Sequence, residues 1–334
     1  MNSFSYYDTT ILSLGALFFG IIMLIKGGGW AVEAGVFIAT RYGVSPLIVG
    51  FTIIAFGTSL PELIVSVVAN LQGSPGIALG NVLGSNIANV LMVLGCTALI
   101  SVLHVKVSRM LVRDLIFMML AMIGLTALLY SGGISRLTGF GMVSILGTYI
   151  FIQYKAVGLS KDDTAEGEEV SAAETPLFKS DFVAYGTLLL GLVCISVGAE
   201  FLVKGAKVSA GLIGVPESII ALSIIAFGTS LPELTTSIIA ARKGHSEMVI
   251  GNIIGSNVFN VLMILGFASL MKPIASGSFS PQILNFDVWI ALLVSFSLVL
   301  VLLIFGRIGR FTGILFFLSY IAYNIYIYMA NINA

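Results

Sequence analysis

The sequence predicts an all-α polytopic membrane protein with ten transmembrane helices in two inverted five-helix repeats. First, 58% of the 334 residues are hydrophobic and only 10% are charged, a composition outside the range of soluble domains. Second, a span takes about 20 apolar residues, so ten spans would use about 200 and leave short connections. Third, one stretch of the sequence occurs twice. These observations exclude a large soluble domain.

The charges and cysteines exclude further classes of protein. Lys plus Arg and Asp plus Glu number 16 each, and no basic stretch suits a nucleic-acid backbone. Cys96 and Cys194 lie in apolar runs, without the spacing of a disulfide framework or a zinc site, so we expect them to serve packing. The first apolar run, residues 11–25, follows Asp8 without any Lys or Arg. It is predicted to be a membrane helix and not a secretory signal.

The repeat is an internal duplication at a fixed offset of 171 residues. The sequence IIAFGTSLPEL occupies residues 53–63 and again 224–234, and GNVLGSNIANVLMVLG at 80–95 matches GNIIGSNVFNVLMILG at 251–266. Between residues 50–95 and 221–266, about 25 of 46 aligned positions are identical, far more than shared hydrophobicity produces. The chain is therefore predicted to be one structural unit written twice.

The spans are predicted from apolar runs that end at charged or Gly/Pro-rich breaks. In the first half they are expected near residues 9–29, 44–71, 75–103, 111–131 and 137–155. In the second half they are expected near residues 182–206, 215–242, 246–271, 284–305 and 309–330.

The predicted organisation is a first half at residues 1–155, a cytoplasmic linker at 156–180 and a second half at 181–334. The linker is acidic and holds Asp162, Asp163, Glu166, Glu168, Glu169 and Glu174. We expect a hydrated connecting loop, with a regulatory cation-binding loop as the alternative.

An odd number of spans in each half has a topological consequence. The second half must begin on the opposite side of the membrane and so be inverted, an architecture of secondary transporters with a site at the midplane. With the N-terminus outside, twelve basic residues fall on the cytoplasmic side: Lys26, Arg41, Lys106, Arg109, Arg113, Lys155, Lys161, Lys179, Arg242, Lys243, Arg307 and Arg310. Four fall outside: Arg136, Lys204, Lys207 and Lys272. The positive-inside rule therefore favours ten spans with both termini outside.

Glu62 and Glu233 are acidic residues predicted to lie in the middle of membrane spans. Each sits in a long apolar segment, where an uncompensated carboxylate costs about 2.5 kcal/mol or more. Neither core repeat contains a Lys or Arg before Arg242. Each carboxylate must therefore be protonated, bound to a cation or paired with a distant helix.

The surrounding residues predict an oxygen-rich site. Pro61 and Pro232 precede the glutamates, and a kink there would free backbone carbonyl oxygens. Polar side chains recur at spacing four and are predicted to share helix faces: Thr58, Glu62 and Ser66; Asn81, Ser85 and Asn89; Thr229, Glu233 and Ser237; Asn252, Ser256 and Asn260. For the Ser and Asn positions, packing between helices is the alternative. Hard oxygens without thiolate or imidazole suit calcium and sodium, and one pocket used alternately by both ions would make an antiporter.

At these residues the chain resembles the sodium/calcium exchanger family of the calcium/cation antiporter superfamily. The two inverted repeats of that family carry G-[TS]-S-x-P-E followed by G-S-N-x-x-[ND], and the resemblance covers essentially the whole chain. It implies exchange of Ca²⁺ for Na⁺ by alternating access, with the first helix of each half, residues 9–29 and 182–206, sliding past the core. It also implies a ligand set of Glu62, Glu233, Thr58, Thr229, Ser59, Ser230, Ser85, Ser256, Asn89 and Asn260.

One residue departs from several relatives, including potassium-dependent ones, which carry Asp where this chain has Asn260. The departure argues against potassium dependence and leaves the sodium stoichiometry open. Proton-coupled calcium exchange is the second reading of the sequence.

Two other classes of protein, an enzyme and a channel, are alternatives to the exchanger. An intramembrane enzyme would need a nucleophile with a base, or paired aspartates, and the spans hold no such constellation, so no enzyme is expected. A passive channel remains an alternative, although inverted repeats favour alternating access.

The remaining expectations concern the surroundings of the chain. The expected partners are membrane lipid and the transported ions, without nucleic acid or a resident cofactor. A monomer is compatible with the sequence, and the expected location is the prokaryotic plasma membrane.

Overall fold

The computed structural model describes residues 6–159, 178, 180–212 and 228–332. Its helices are α1 (Tyr6–Tyr42), α2 (Pro46–Thr58), α3 (Leu60–Leu71), α4 (Pro75–Ile100), α5 (Arg109–Tyr130) and α6 (Arg136–Leu159), then α7 (Asp181–Leu212), α8 (Leu231–Arg242), α9 (Ser246–Met271), α10 (Ile283–Phe305) and α11 (Arg310–Ile332). Most of the acidic linker and residues 213–227 of one predicted span lie outside this description.

The first helix is longer than the sequence predicts. Its apolar run was expected to end at residue 29, but α1 continues to Tyr42. The glycines do not stop the helix because they serve packing: a Cβ at Gly27 would lie 2.7 Å from the Cys194 Cβ and 2.8 Å from the Gly191 carbonyl oxygen of α7. Beyond them, Ala31, Ala34 and Ile38 are buried, so the second part of α1 also has an apolar face in the core.

The predicted span 44–71 is a helix broken at Ser59. α2 ends at Thr58, α3 begins at Leu60, and the two axes differ by 46°. Pro61 lies in the first turn of α3, where proline is tolerated because the first amides of a helix have no partner in it. Ser230 has the same non-helical conformation directly ahead of α8, which carries Pro232 in its first turn.

Two of the longest buried helices contain a π-helical segment at an equivalent place. In α4 it covers Asn89–Leu94, and in α9 it covers Asn260–Ile264. π-Helical turns are rare and are found frequently at functional sites. Both segments begin at an asparagine, Asn89 or Asn260, that the family resemblance implies as an ion ligand.

Four two-residue strands, which the sequence does not predict, connect the halves. β1 (Leu103–His104) pairs antiparallel with β4 (Arg307–Ile308), and β2 (Gly133–Ile134) pairs antiparallel with β3 (Ile274–Ala275). Each pair therefore joins a loop of the first half to a loop of the second.

The chain is an integral membrane protein of helices. Within the described residues, seven helices are long and apolar enough to cross a membrane, and the bent pair α2–α3 makes eight if it is one span. Helix α6 lies where the fifth span is predicted but is not among the seven. Only the end of the predicted span 215–242, namely α8, is described.

Candidate ion-binding site

The helix breaks place both glutamates at helix N-termini. Ser59 has φ −87° and ψ 3°, and Ser230 has φ −91° and ψ 6°, so the chain leaves helical geometry at the same position in each repeat. Glu62 and Glu233 lie in the first turns of α3 and α8. The exposed amides at a helix N-terminus favour a carboxylate there.

The break corrects one detail predicted from the spacing. Thr58 was expected on the same helix face as Glu62, but it ends α2 while Glu62 belongs to α3. Because Pro61 has no N–H, it cannot donate to the carbonyl of Gly57. The sequence therefore predicts the position of the kink, but it predicts one bent helix where the structure has two separate helices.

The two glutamates form a buried acidic pair. The side chains belong to residues that are 2% and 1% exposed, and their carboxylates are close enough to interact electrostatically. Thr58 and Ser59 of the first repeat lie beside the Glu233 carboxylate, although the Ser59 hydroxyl makes no hydrogen bond of standard geometry. None of the ion pairs between described residues includes either glutamate.

The other predicted ligands lie on α4 and α9. Ser85 and Asn89 on α4, and Ser256 and Asn260 on α9, are at most 5% exposed. Helix α9 packs against α2, and the π-helical segment of α9 contacts α3, while the π-helical segment of α4 contacts α8. In each half, the helix with the predicted Ser and Asn ligands is thus held against the glutamate-bearing helix of the other half.

Thr229 differs from the rest of the predicted set. It is half-buried and lines a large, mostly apolar cavity together with Gly228 and Pro232. Its first-repeat equivalent, Thr58, is buried and donates to the Ala55 carbonyl at 3.4 Å.

Several buried oxygen atoms in this region have no hydrogen-bond partner. They are Ser59 Oγ, Glu62 Oε2, Asn89 Oδ1, Ser230 Oγ, Glu233 Oε2, Ser256 Oγ and Asn260 Oδ1. Buried polar atoms normally have partners, so a concentration of acceptor oxygens without donors fits a bound cation. Carboxylate, hydroxyl and amide oxygens are the ligands of calcium and of other hard cations.

In the part of the chain that the structure describes, no third acidic side chain forms a metal-binding group with the pair. Among the described residues, no group of three or more His, Cys, Asp or Glu side chains could hold a metal ion. Asn260, on the other hand, is buried and carries a neutral amide. The acidic side chains of the candidate site are therefore Glu62 and Glu233.

Polar residues outside the predicted ligand set hold the helices together. Asn81 donates to Ser66 Oγ at 2.9 Å and to the Glu62 carbonyl at 3.4 Å. These bonds support the alternative that Asn81 and Ser66 serve packing between α4 and α3. Asn86 and Asn257 were not predicted as functional. They are buried and bond to Asn260 and Asn89, and the only sequence signal for them is the duplicated Gly-Ser-Asn.

Comparison with known proteins identifies the family. The family model for sodium/calcium exchanger proteins matches residues 12–155 and 183–329. Inner membrane protein YrbG of Escherichia coli is 34% identical, covering 91% of this chain and 93% of its own length. Sodium/calcium exchanger MaX1 of Methanosarcina acetivorans is 28% identical, covering 92% and 96%.

The fold is also that of a solved exchanger. A structure of the sodium-calcium exchanger NCX_Mj, soaked with Na⁺ and no Ca²⁺, matches with a TM-score of 0.78 and 33% identity, covering 94% of this chain and 98% of that chain. The matches run along almost all of the chain, including both copies of the duplicated segment. The chain therefore belongs to the sodium/calcium exchanger protein family.

Proposed function

We propose that this protein is a secondary active antiporter that exchanges Ca²⁺ for Na⁺ across the membrane by alternating access. The observation that carries the proposal is the acidic pair: Glu62 and Glu233, one from each repeat, are both buried and close enough to interact electrostatically, and no ion pair between described residues includes either of them. Two ionised carboxylates are neutralised by one calcium ion or by more than one sodium ion. Competition for the same two charges would couple the movements of the ions.

The proposed ligands are oxygen atoms of ten residues from the two repeats. Glu62 and Glu233 bind the cation directly, and the others complete its coordination: Thr58, Ser59, Ser85, Asn89, Thr229, Ser230, Ser256 and Asn260. Calcium accepts six to eight oxygen ligands in flexible geometry, so a site of this composition can accommodate it. The unpartnered acceptor atoms at most of these positions support the assignment.

We further propose ten spans in two inverted halves, residues 1–155 and 181–334, joined by the linker 156–180. The strand pairs support this topology. The pair β1–β4 adjoins basic residues predicted to be cytoplasmic, and the pair β2–β3 adjoins Arg136 and Lys272, which are predicted to be outside. Each pair thus brings together two loops that the charge pattern assigns to the same side of the membrane.

The pairing of α1 with α7 also supports inversion. Gly20 of α1 contacts Gly198 of α7, and Gly27 contacts Gly191, so the two helices run antiparallel. The first helices of the two halves therefore cross the membrane in opposite directions. We propose that this glycine-lined pair slides along the core during transport, because small residues let two helices pack closely as a unit.

The proposed location is the plasma membrane, with both termini outside. The name of the Escherichia coli relative places that protein in the inner membrane. Membrane lipid and the two ions are the proposed partners, and the chain is proposed to act as a transporter without enzymatic activity.

The identity of the ion that drives calcium transport can be tested with purified protein in proteoliposomes. Vesicles loaded with sodium and diluted into sodium-free medium with radioactive calcium should accumulate calcium against its own gradient. An imposed potassium or proton gradient should not replace the sodium gradient. Accumulation driven by protons alone would favour the proton-coupled alternative, and downhill flux indifferent to sodium would favour a channel.

The neutral residue Asn260 is expected to tune this coupling. Asn260→Asp adds a third negative charge among the proposed ligands, so sodium binding should become more favourable and the sodium-to-calcium ratio should rise. The ratio follows from the membrane potential at which net calcium flux stops, measured in vesicles with fixed ion gradients. Asn324→Asp is a matched control, because Asn324 lies on α11 and donates to the Tyr320 carbonyl. An unchanged reversal potential in Asn260→Asp would show that this position does not tune coupling.

A further inference from the structure

Four buried asparagines form a hydrogen-bond network between α4 and α9. Asn89 Nδ2 donates to Asn257 Oδ1 at 3.1 Å, and Asn260 Nδ2 donates to Asn86 Oδ1 at 2.9 Å. Asn86 Nδ2 donates to the Asn257 backbone carbonyl at 3.3 Å, and Asn257 Nδ2 donates to the Asn86 carbonyl at 3.5 Å. All four residues are at most 2% exposed.

The network repeats with the offset of the sequence duplication. Asn86 and Asn89 become Asn257 and Asn260 when 171 residues are added, and every bond from one half has a counterpart from the other. The bonds join the halves, because each asparagine of the proposed site is held by an asparagine of the opposite repeat.

The backbone carbonyls fix the orientation of every amide. A carbonyl can only accept, so the Asn257 carbonyl requires the nitrogen of Asn86 on its side and turns the Asn86 oxygen away. That oxygen can in turn accept only from the nitrogen of Asn260. A flipped Asn260 amide would bring two oxygens together and present its NH₂ group where its oxygen now lies.

The bonding leaves different atoms free in the two kinds of asparagine. The side-chain oxygens and nitrogens of Asn86 and Asn257 all have partners, whereas Asn89 Oδ1 and Asn260 Oδ1 are buried without one. A cation is coordinated by an amide oxygen and repelled by an amide NH₂ group. The network thus holds the two proposed ligands in the orientation that a cation needs.

We propose that Asn86 and Asn257 are positioning residues for ion binding, and that each fixes the amide of the ion-binding asparagine in the opposite half. The inference rests on the proposed calcium–sodium exchange. It implies a specific crossed dependence: Asn86 acts on Asn260 of α9 and not on Asn89, which lies three residues away on its own helix. A role in packing alone would not distinguish these two asparagines.

The crossed dependence can be measured with a double-mutant cycle on the full chain in proteoliposomes. Asn86→Leu removes the acceptor at similar volume, so Asn260 is free to turn and the KM for calcium should rise about tenfold. The maximal rate should change less than KM. In the Asn260→Ala background there is no amide to position, so adding Asn86→Leu should have little further effect. In the Asn89→Ala background, adding Asn86→Leu should still raise the KM for calcium about tenfold.

Two further variants separate positioning from folding. Asn86→Asp in its protonated form keeps an acceptor for Asn260 and a donor for the Asn257 carbonyl, so KM should stay within about threefold of the unmodified protein. Asn70→Leu is the packing control, because Asn70 is buried and donates to the Ala268 and Lys272 carbonyls across the halves. It should lower the melting temperature without a comparable change in KM. If Asn86→Leu does not fold, Asn86→Ala replaces it in the same cycle.

The outcomes are distinguishable. Failure of the unmodified protein to exchange calcium for sodium would overturn the proposed function itself. If it exchanges normally, an unchanged KM in Asn86→Leu would overturn the positioning role, and so would effects that add fully to those of Asn260→Ala. Non-additivity with Asn260→Ala, together with additivity with Asn89→Ala, would establish it.

Discussion

Calcium transport should fall by at least about a hundredfold when either Glu62 or Glu233 is replaced by glutamine. The change keeps the shape of the side chain and removes one of the two negative charges of the proposed site. Loss of one charge from a buried ionic interaction costs about 3 kcal/mol or more, which corresponds to about a hundredfold in affinity. The measurement is sodium-driven uptake of radioactive calcium into proteoliposomes with equal amounts of folded protein.

The same substitution at an exposed glutamate provides the control. Glu200 on α7 pairs with Lys204 at 2.6 Å, and both side chains are largely exposed. Exposed ion pairs contribute little to stability, so Glu200→Gln should retain normal transport and a normal melting temperature. Full transport in Glu62→Gln or Glu233→Gln would contradict the proposed ion site. An equal loss in all three variants would show that the loss of transport is not specific to these two glutamates.

A methyl group at Gly251 should strongly destabilise the fold. Gly251 of α9 crosses α2 so closely that an added Cβ would lie 2.9 Å from the Leu47 carbonyl carbon and 3.0 Å from the Phe51 nitrogen. On the facing helix, a Cβ at Gly50 would lie 2.9 Å from the Asn252 nitrogen. Backbone atoms cannot move aside as a flexible side chain can, so Gly251→Ala is expected to cost about 1–3 kcal/mol or more.

The melting temperature in detergent, followed by the recovery of monodisperse protein after heating, measures this cost. Gly124→Ala is the matched control, because a Cβ added to this glycine of α5 would have no described atom within 4 Å apart from its chain neighbours and the adjacent backbone of its own helix. Alanine is the better helix former, so the control should be as stable as the unmodified protein. Equal melting temperatures for both variants would mean that α2 and α9 do not cross in contact. Since this crossing holds α9 against the break at Ser59, Gly251→Ala should also impair transport.

Glu62 and Glu233 could be predicted from the residues near them in the sequence. A glutamate within a long apolar run stands out because burial of an uncompensated charge is costly, and its repetition at a fixed offset showed that it is not an accident of composition. The sequence predicts the kink next to Pro61 for a similar reason, since proline removes a local hydrogen bond. The same local reasoning failed for α1, where glycines read as a break are instead the contact surface for α7.

The sequence alone determined the class of fold, the duplication and the two carboxylates, because hydrophobicity, repetition and charge can be read from neighbouring residues. Only the tertiary structure revealed the strands that join the halves and the hydrogen bonds of Asn86 and Asn257. Their bonds connect residues about 170 positions apart and depend on how α4 and α9 cross. Composition and spacing along one helix do not specify which residue of another helix faces an amide, so these contacts had to be seen in three dimensions.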